Sequence, residues 1–103
     1  ALTYPMLALG AKGVISVTAN VVPDMVSQMV NSYLKGNIEV SQKLHLDLLD
    51  MSNILFVETN PIPVKEALGI MGKIEPEFRL PLCGMSKENK EKLESVLKKY
   101  KLI

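Results

Sequence analysis

Few side chains in this sequence can do chemistry, and their spacing limits what that chemistry is. There is one histidine, His45, one cysteine, Cys83, and three tyrosines, Tyr4, Tyr33 and Tyr100. A histidine working as a general base needs an oriented acidic or thiol partner, and His45 has none nearby in sequence. It lies among polar neighbours of a long helix and reads as surface or interface. One His and one Cys do not make a structural zinc site, and no metal or other cofactor is expected. Cys83 sits in "LPLCG", residues 80–84, and reads as a buried thiol. A single cysteine allows no intrachain disulfide, which fits a reduced, cytoplasmic setting. The three tyrosines all fall on predicted helices and read as packing residues. Lys12 precedes a predicted strand, and Lys65 falls in the first turn of a predicted helix.

The elements that must position these groups are legible from periodicity. The first ten residues read as a short helix, with Thr3 as a possible cap, Pro5 in the first turn and Gly10 as its stop. Val14 to Ala19, inside "GVISVTANVV", reads as a β-strand apolar on both faces, the habit of parallel sheets. Pro23 and Asp24 open a helix over Val22 to Lys35. Its apolar set, Val22, Met25, Val26, Met29, Val30, Tyr33 and Leu34, is spaced by three and four residues, and Gly36 ends it. A longer helix is predicted from Asn37 toward Phe56, with the stripe Val40, Leu44, Leu48, Met51, Leu55. Leu46 and Leu49 fall off that stripe, so this helix is expected to touch protein on two sides. "ETNPIP", residues 58–63, is a stiff turn. Asn60 or a near neighbour caps a helix faced by Val64, Ala67, Leu68 and Met71 and closed by Gly72. Residues 75–84 are an irregular link. Ser86 caps a last helix faced by Leu93, Val96, Leu97 and Tyr100, with Glu88–Lys92 and Glu94–Lys98 as i,i+4 pairs.

The bulk composition narrows the function class. The 103 residues are 48% hydrophobic and 22% charged, the balance of a globular domain. The net charge of +1 lacks the basic excess of a nucleic-acid surface or a polybasic membrane patch. No apolar run is long enough to span a bilayer, and residues 1–10 lack the basic leader and cleavage pattern of a signal peptide. No nucleic-acid or membrane partner is therefore expected.

The single strand is the anomaly. A strand buried on both faces leaves N–H and C=O groups unpaired on both edges, at a cost of about 1–3 kcal/mol for each buried group. A domain with about 5–15 kcal/mol of net stability cannot carry many. Either the strand reading is wrong, or the strand's partners lie on another chain or on sequence beyond these 103 residues. Helix, strand, helix with such a strand is one unit of an α/β barrel or doubly wound sheet. A barrel needs about 250 residues, and this chain supplies less than half. The start at Ala1, inside an apparent element, agrees with the expectation that the chain is a piece.

"GAKGVISVTANVVPDMV", "FVETNPIPVKEALGIMG" and "RLPL" closely resemble the C-terminal third of the dihydrodipicolinate synthase family, the pyruvate-dependent class I aldolase/lyase group. The similarity covers the whole chain, and "FVETNPIPVK", residues 56–65, is its most specific part. The resemblance implies an α/β fold: the last part of a (β/α)8 TIM barrel over residues 1–36, then a three-helix C-terminal domain over residues 37–103. Residues 1–10 would be the seventh barrel helix, Val14–Ala19 the eighth strand and Val22–Lys35 the eighth helix.

The implied reaction joins pyruvate to aspartate semialdehyde through a lysine Schiff base, in the diaminopimelate route to lysine. The family's imine lysine and proton-relay tyrosine both precede Ala1, so no catalytic residue is expected here and the piece alone should be inactive. The family uses the backbone carbonyl matching Ile15 near pyruvate, and Val17 would line the same pocket. Lys65 does not match the family's nucleophile and is assigned a structural role. Lys12 would sit at the bottom of the barrel. The family's homotetramers place the helix matching residues 1–10 at one subunit contact, which makes Leu9 an interface candidate. The partners implied are the missing N-terminal barrel portion and further copies of the same protein. A sister pyruvate aldolase, such as an N-acetylneuraminate lyase or a keto-deoxy-sugar acid aldolase, is the close alternative. A self-standing helical interaction module is the alternative of another class.

Overall fold

The computed structural model describes residues 1–103, and every regular element in it is helical. The helices are α1 (Thr3–Ala8), α2 (Pro23–Leu34), α3 (Ile38–Asp47), α4 (Leu49–Ile54), α5 (Ile62–Ile70) and α6 (Lys87–Lys99), with one 3-10 turn at Thr18–Asn20. Contacts divide the chain into two compact units, Ala1–Ser52 and Asn53–Ile103.

The expected strand at Val14–Ala19 does not form. Residues 11–16 carry no regular structure, and the turn begins at Thr18. The amides of residues 12–17 donate to no backbone carbonyl in the chain. Val14 is 44% exposed and Ile15 fully exposed. The physical reason is the one the sequence raised: a strand exists only as part of a ladder, and nothing in this chain supplies a second rung.

In the first unit, α2 packs on α3, and α1 packs on both. The core holds Leu7, Val21, Val22, Val26, Met29, Leu48 and Met51. Val40, expected in the core stripe, is 45% exposed, and Ser41 is fully buried beside it. Ser41 Oγ donates to the Met29 carbonyl at 2.7 Å, so a small hydroxyl lets α3 approach the α2 backbone. The expected long helix is broken at Leu48. Its amide is shared between the carbonyls of Leu44, at 3.0 Å, and His45, at 3.2 Å, a local 3-10 tightening between α3 and α4.

In the second unit α5 packs on α6. Leu55, Ile62, Pro63, Val64, Ala67, Leu93 and Leu97 are buried there. Asn60 does not cap α5, whose N-cap is Pro61 with no side-chain bond, and α1 likewise starts at Leu2 without help from Thr3. Pro5 and Pro63, each placed early in its helix, need no amide partner there. Ser86 does cap α6, its Oγ accepting from Asn89 N at 3.3 Å.

Four helices end in the same paired motif. Beyond α2, the Gly36 amide donates to Tyr33 O at 2.9 Å and Asn37 to Ser32 O at 2.7 Å. Gly36 stands at φ +87, where a side chain is disfavoured. Lys101 serves the same position after α6 at φ 58 without being glycine. The peptide bonds Asn60–Pro61 and Leu80–Pro81 are cis.

Candidate functional site

The site expected from Ile15 and Val17 lies in the first unit, where the irregular segment enters the 3-10 turn. Ile15 points into open surroundings, and Val17 is half-buried with helical backbone angles, φ -63 and ψ -45. The turn is built by short polar side chains. Ser16 Oγ accepts from Ala19 N at 3.1 Å, and Asn20 Nδ2 donates to the carbonyls of Val17 at 3.1 Å and Ser16 at 3.5 Å. Thr18 is buried, and its Oγ1 lies 3.3 Å from Ser52 Oγ on α4. A backbone that lacks a ladder thus gains fixed points from hydroxyls and an amide immediately after Ile15.

A cavity of about 40 Å³ opens beside this turn, lined by Thr3, Ser16, Thr18, His45 and Ser52 among others. His45 stacks on Tyr4, ring centres 5.4 Å apart at 27°, and Tyr4 meets Tyr33 edge-on at 5.8 Å. Burial lowers the His45 pKa from its ordinary value. His45 is therefore a packed, half-buried ring and not an oriented base: no carboxylate bonds it.

The other chemistry-bearing residues do not converge on this place. Lys12 is exposed. Lys65 Nζ donates to the Glu77 carbonyl at 2.8 Å and sits 5.8 Å from the Phe78 ring centre, which ties the irregular link to α5. Cys83 is exposed, against the expectation of a buried thiol, because the link around it carries no regular structure and lies at the surface. Leu9 is 82% exposed. No group of three or more His, Cys, Asp or Glu is placed to hold a metal ion.

Two polar residues escaped the sequence reading. Glu66 is buried on α5, 3.6 Å from Lys90 Nζ. Glu58 Oε2 accepts from Asn89 Nδ2 at 3.0 Å, Ser86 N at 3.1 Å and Ser86 Oγ at 3.3 Å. These bonds, that of Asn89 foremost, hold its carboxyl below the usual carboxylate range. The only signal for Glu58 was its place in the "FVETNPIPVK" block. The Glu88–Lys92 pair forms at 3.0 Å, while Glu94 and Lys98 make no ion pair.

The profile of the dihydrodipicolinate synthetase family matches residues 1–100. The 4-hydroxy-tetrahydrodipicolinate synthase of Geobacter sulfurreducens is 53% identical over 102 residues, which span 99% of this chain and 35% of that protein. The crystal structure of dihydrodipicolinate synthase from Aquifex aeolicus superposes with a TM-score of 0.96 at 53% identity, over 98% of this chain and 34% of that one. The chloride-inhibited enzyme from Acinetobacter baumannii, solved in complex with pyruvate, superposes with a TM-score of 0.93 at 37% identity, over 99% of this chain and 35% of that one. The chain thus spans about a third of the length of the relatives it matches. A family profile covering all but the last three residues, on a fold shared at that level of identity, establishes that the chain belongs to the dihydrodipicolinate synthetase family.

Proposed function

We propose that this chain is the C-terminal third of a dihydrodipicolinate synthase, a carbon–oxygen lyase of aldolase type. In the complete protein it would condense pyruvate with aspartate semialdehyde on the way to diaminopimelate and lysine. The observation that carries the reading is 53% identity sustained over 99% of the chain to a 4-hydroxy-tetrahydrodipicolinate synthase. The unpaired backbone of residues 12–15 supports it physically, since this segment has donors and acceptors free for flanking strands. In that protein residues 1–36 would close a (β/α)8 barrel and residues 37–103 would form the helical domain beyond it. Barrel enzymes hold substrate at the C-terminal ends of their strands, which here means Ile15 to Asn20.

In this reading the chain contributes wall and not nucleophile. The Ile15 carbonyl lies beside bound pyruvate, and Val17 lines the same pocket. The imine lysine and the relay tyrosine come from the remainder of the protein, as does the choice of aldehyde. The assembly would be a cytoplasmic homotetramer, with Leu9 at one subunit contact.

Two experiments test this. Borohydride reduction of the purified chain with pyruvate should leave no covalent adduct by mass spectrometry. An adduct at Lys65 or Lys12 would overturn the role assignment. Second, the chain is grafted in place of the corresponding segment of the Geobacter sulfurreducens enzyme. Synthase activity with pyruvate and aspartate semialdehyde is expected. A folded but inactive graft would overturn the reading.

A further inference from the structure

The staples around Ser16 and Asn20 are local, closing over three or four residues. One bond is not. Thr18 Oγ1 and Ser52 Oγ meet at 3.3 Å across thirty-four residues of sequence. Thr18 is 7% exposed, and valine would fill the same volume, so packing alone does not require its hydroxyl. Thr18 also accepts, through its carbonyl, from the amides of Val21 and Val22, both at 3.0 Å and both core residues. The turn is therefore clamped to the buried end of α2 through its backbone and to α4 through one hydroxyl. Ile15 lies three residues before that clamp, and residues 12–15 have no other backbone anchor within the chain.

We infer that the Thr18–Ser52 hydrogen bond sets the position of the Ile15 carbonyl, making Thr18 and Ser52 positioning residues for pyruvate. This rests on the proposed contact of that carbonyl with substrate. Neither hydroxyl touches pyruvate. Ser52 fixes Thr18, Thr18 fixes the turn, and the turn fixes the direction of the peptide group it grows from. A displaced carbonyl changes the shape of the pyruvate pocket and so weakens binding more than it slows the chemistry, which lies on other residues.

The test begins on the 103-residue chain. Amide exchange at Ala19 to Val22 should quicken about three- to tenfold in Thr18→Val and in Ser52→Ala, and stay unchanged in Thr18→Ser, which keeps the hydroxyl. Unchanged exchange in Ser52→Ala overturns the inference, even if Thr18→Val fails to fold. In the grafted enzyme, KM for pyruvate should rise about three- to tenfold with kcat kept. The double variant should match either single one, because one bond is lost from either side. A KM left at its original value overturns the inference. Replacing Ser16 by its α-hydroxy acid makes the Ile15 carbonyl an ester, a weaker acceptor. If that change leaves KM unaltered, the pyruvate contact itself is wrong. If it raises KM while Thr18→Val and Ser52→Ala do not, only the positioning role fails.

Discussion

Glu58 shows how one side chain can carry more than its sequence context discloses. Its carboxylate takes three hydrogen bonds from Ser86 and Asn89, so the loop before α5 is held to the first turn of α6. These donors favour the charged form and lower its pKa in the folded state. The stabilisation is present above the unfolded carboxylate value and is lost as pH falls through the lower folded one. Thermal melts of the chain and of Glu58→Gln should differ at about pH 6 and converge toward about pH 3. His45 works in the opposite sense. Its folded pKa is also lowered, but for a base this means that the folded state resists protonation. Stability should therefore decline as pH falls below the ordinary histidine range, and His45→Gln should flatten that limb of a Tm-against-pH curve.

Among the elements, α5 and α6 make the clearest pair. Leu93 and Leu97 are fully buried in their contact. Leu97→Ala should cost about 2–5 kcal/mol in chemical denaturation. Gly69 on α5 is a subtler case. A Cβ there would lie 2.8 Å from Pro76 Cγ, so the link after α5 is packed against a position that admits only hydrogen. Gly69→Ala should destabilise by about 1–3 kcal/mol despite the better helix propensity of alanine. Lys65 pins the same link further along, through Glu77 and Phe78. Lys65→Met should lose about 0.5–1.5 kcal/mol of stability by urea titration, and should leave KM and kcat of the grafted enzyme unchanged if Lys65 is structural.

At the scale of the whole molecule, the central fact is a segment, residues 12–16, with neither regular structure nor backbone hydrogen bonds from its amides. Amides from Gly13 to Ile15 should exchange near the free-peptide rate in the isolated chain. Slow exchange there in a monomer would mean that the segment finds partners within these 103 residues, and would favour a self-sufficient helical module over a piece of a barrel. The Aquifex aeolicus dihydrodipicolinate synthase, about three times as long, superposes on 98% of the chain with a TM-score of 0.96.

How much of this is legible in the sequence differs by element. The face of α2 was readable because Val22, Val26 and Met29 repeat at the helical period, and Gly36, Gly72 and Ser86 marked helix ends by local chemistry. The family was readable because "FVETNPIPVK" and "RLPL" are local strings. Ser41 in place of Val40, the break at Leu48, the exposure of Cys83 and the bonds of Glu58 were not readable. Each depends on what a distant segment brings alongside. Periodicity and local turn chemistry are properties of neighbouring residues, so the sequence by itself determined most of the helical stretches, the ends marked by Gly36, Gly72 and Ser86, and the family. Hydrogen-bond partners such as Thr18 and Ser52, and the pairing state of Val14 and Ile15, are properties of residues far apart along the chain, and only the tertiary structure decided them.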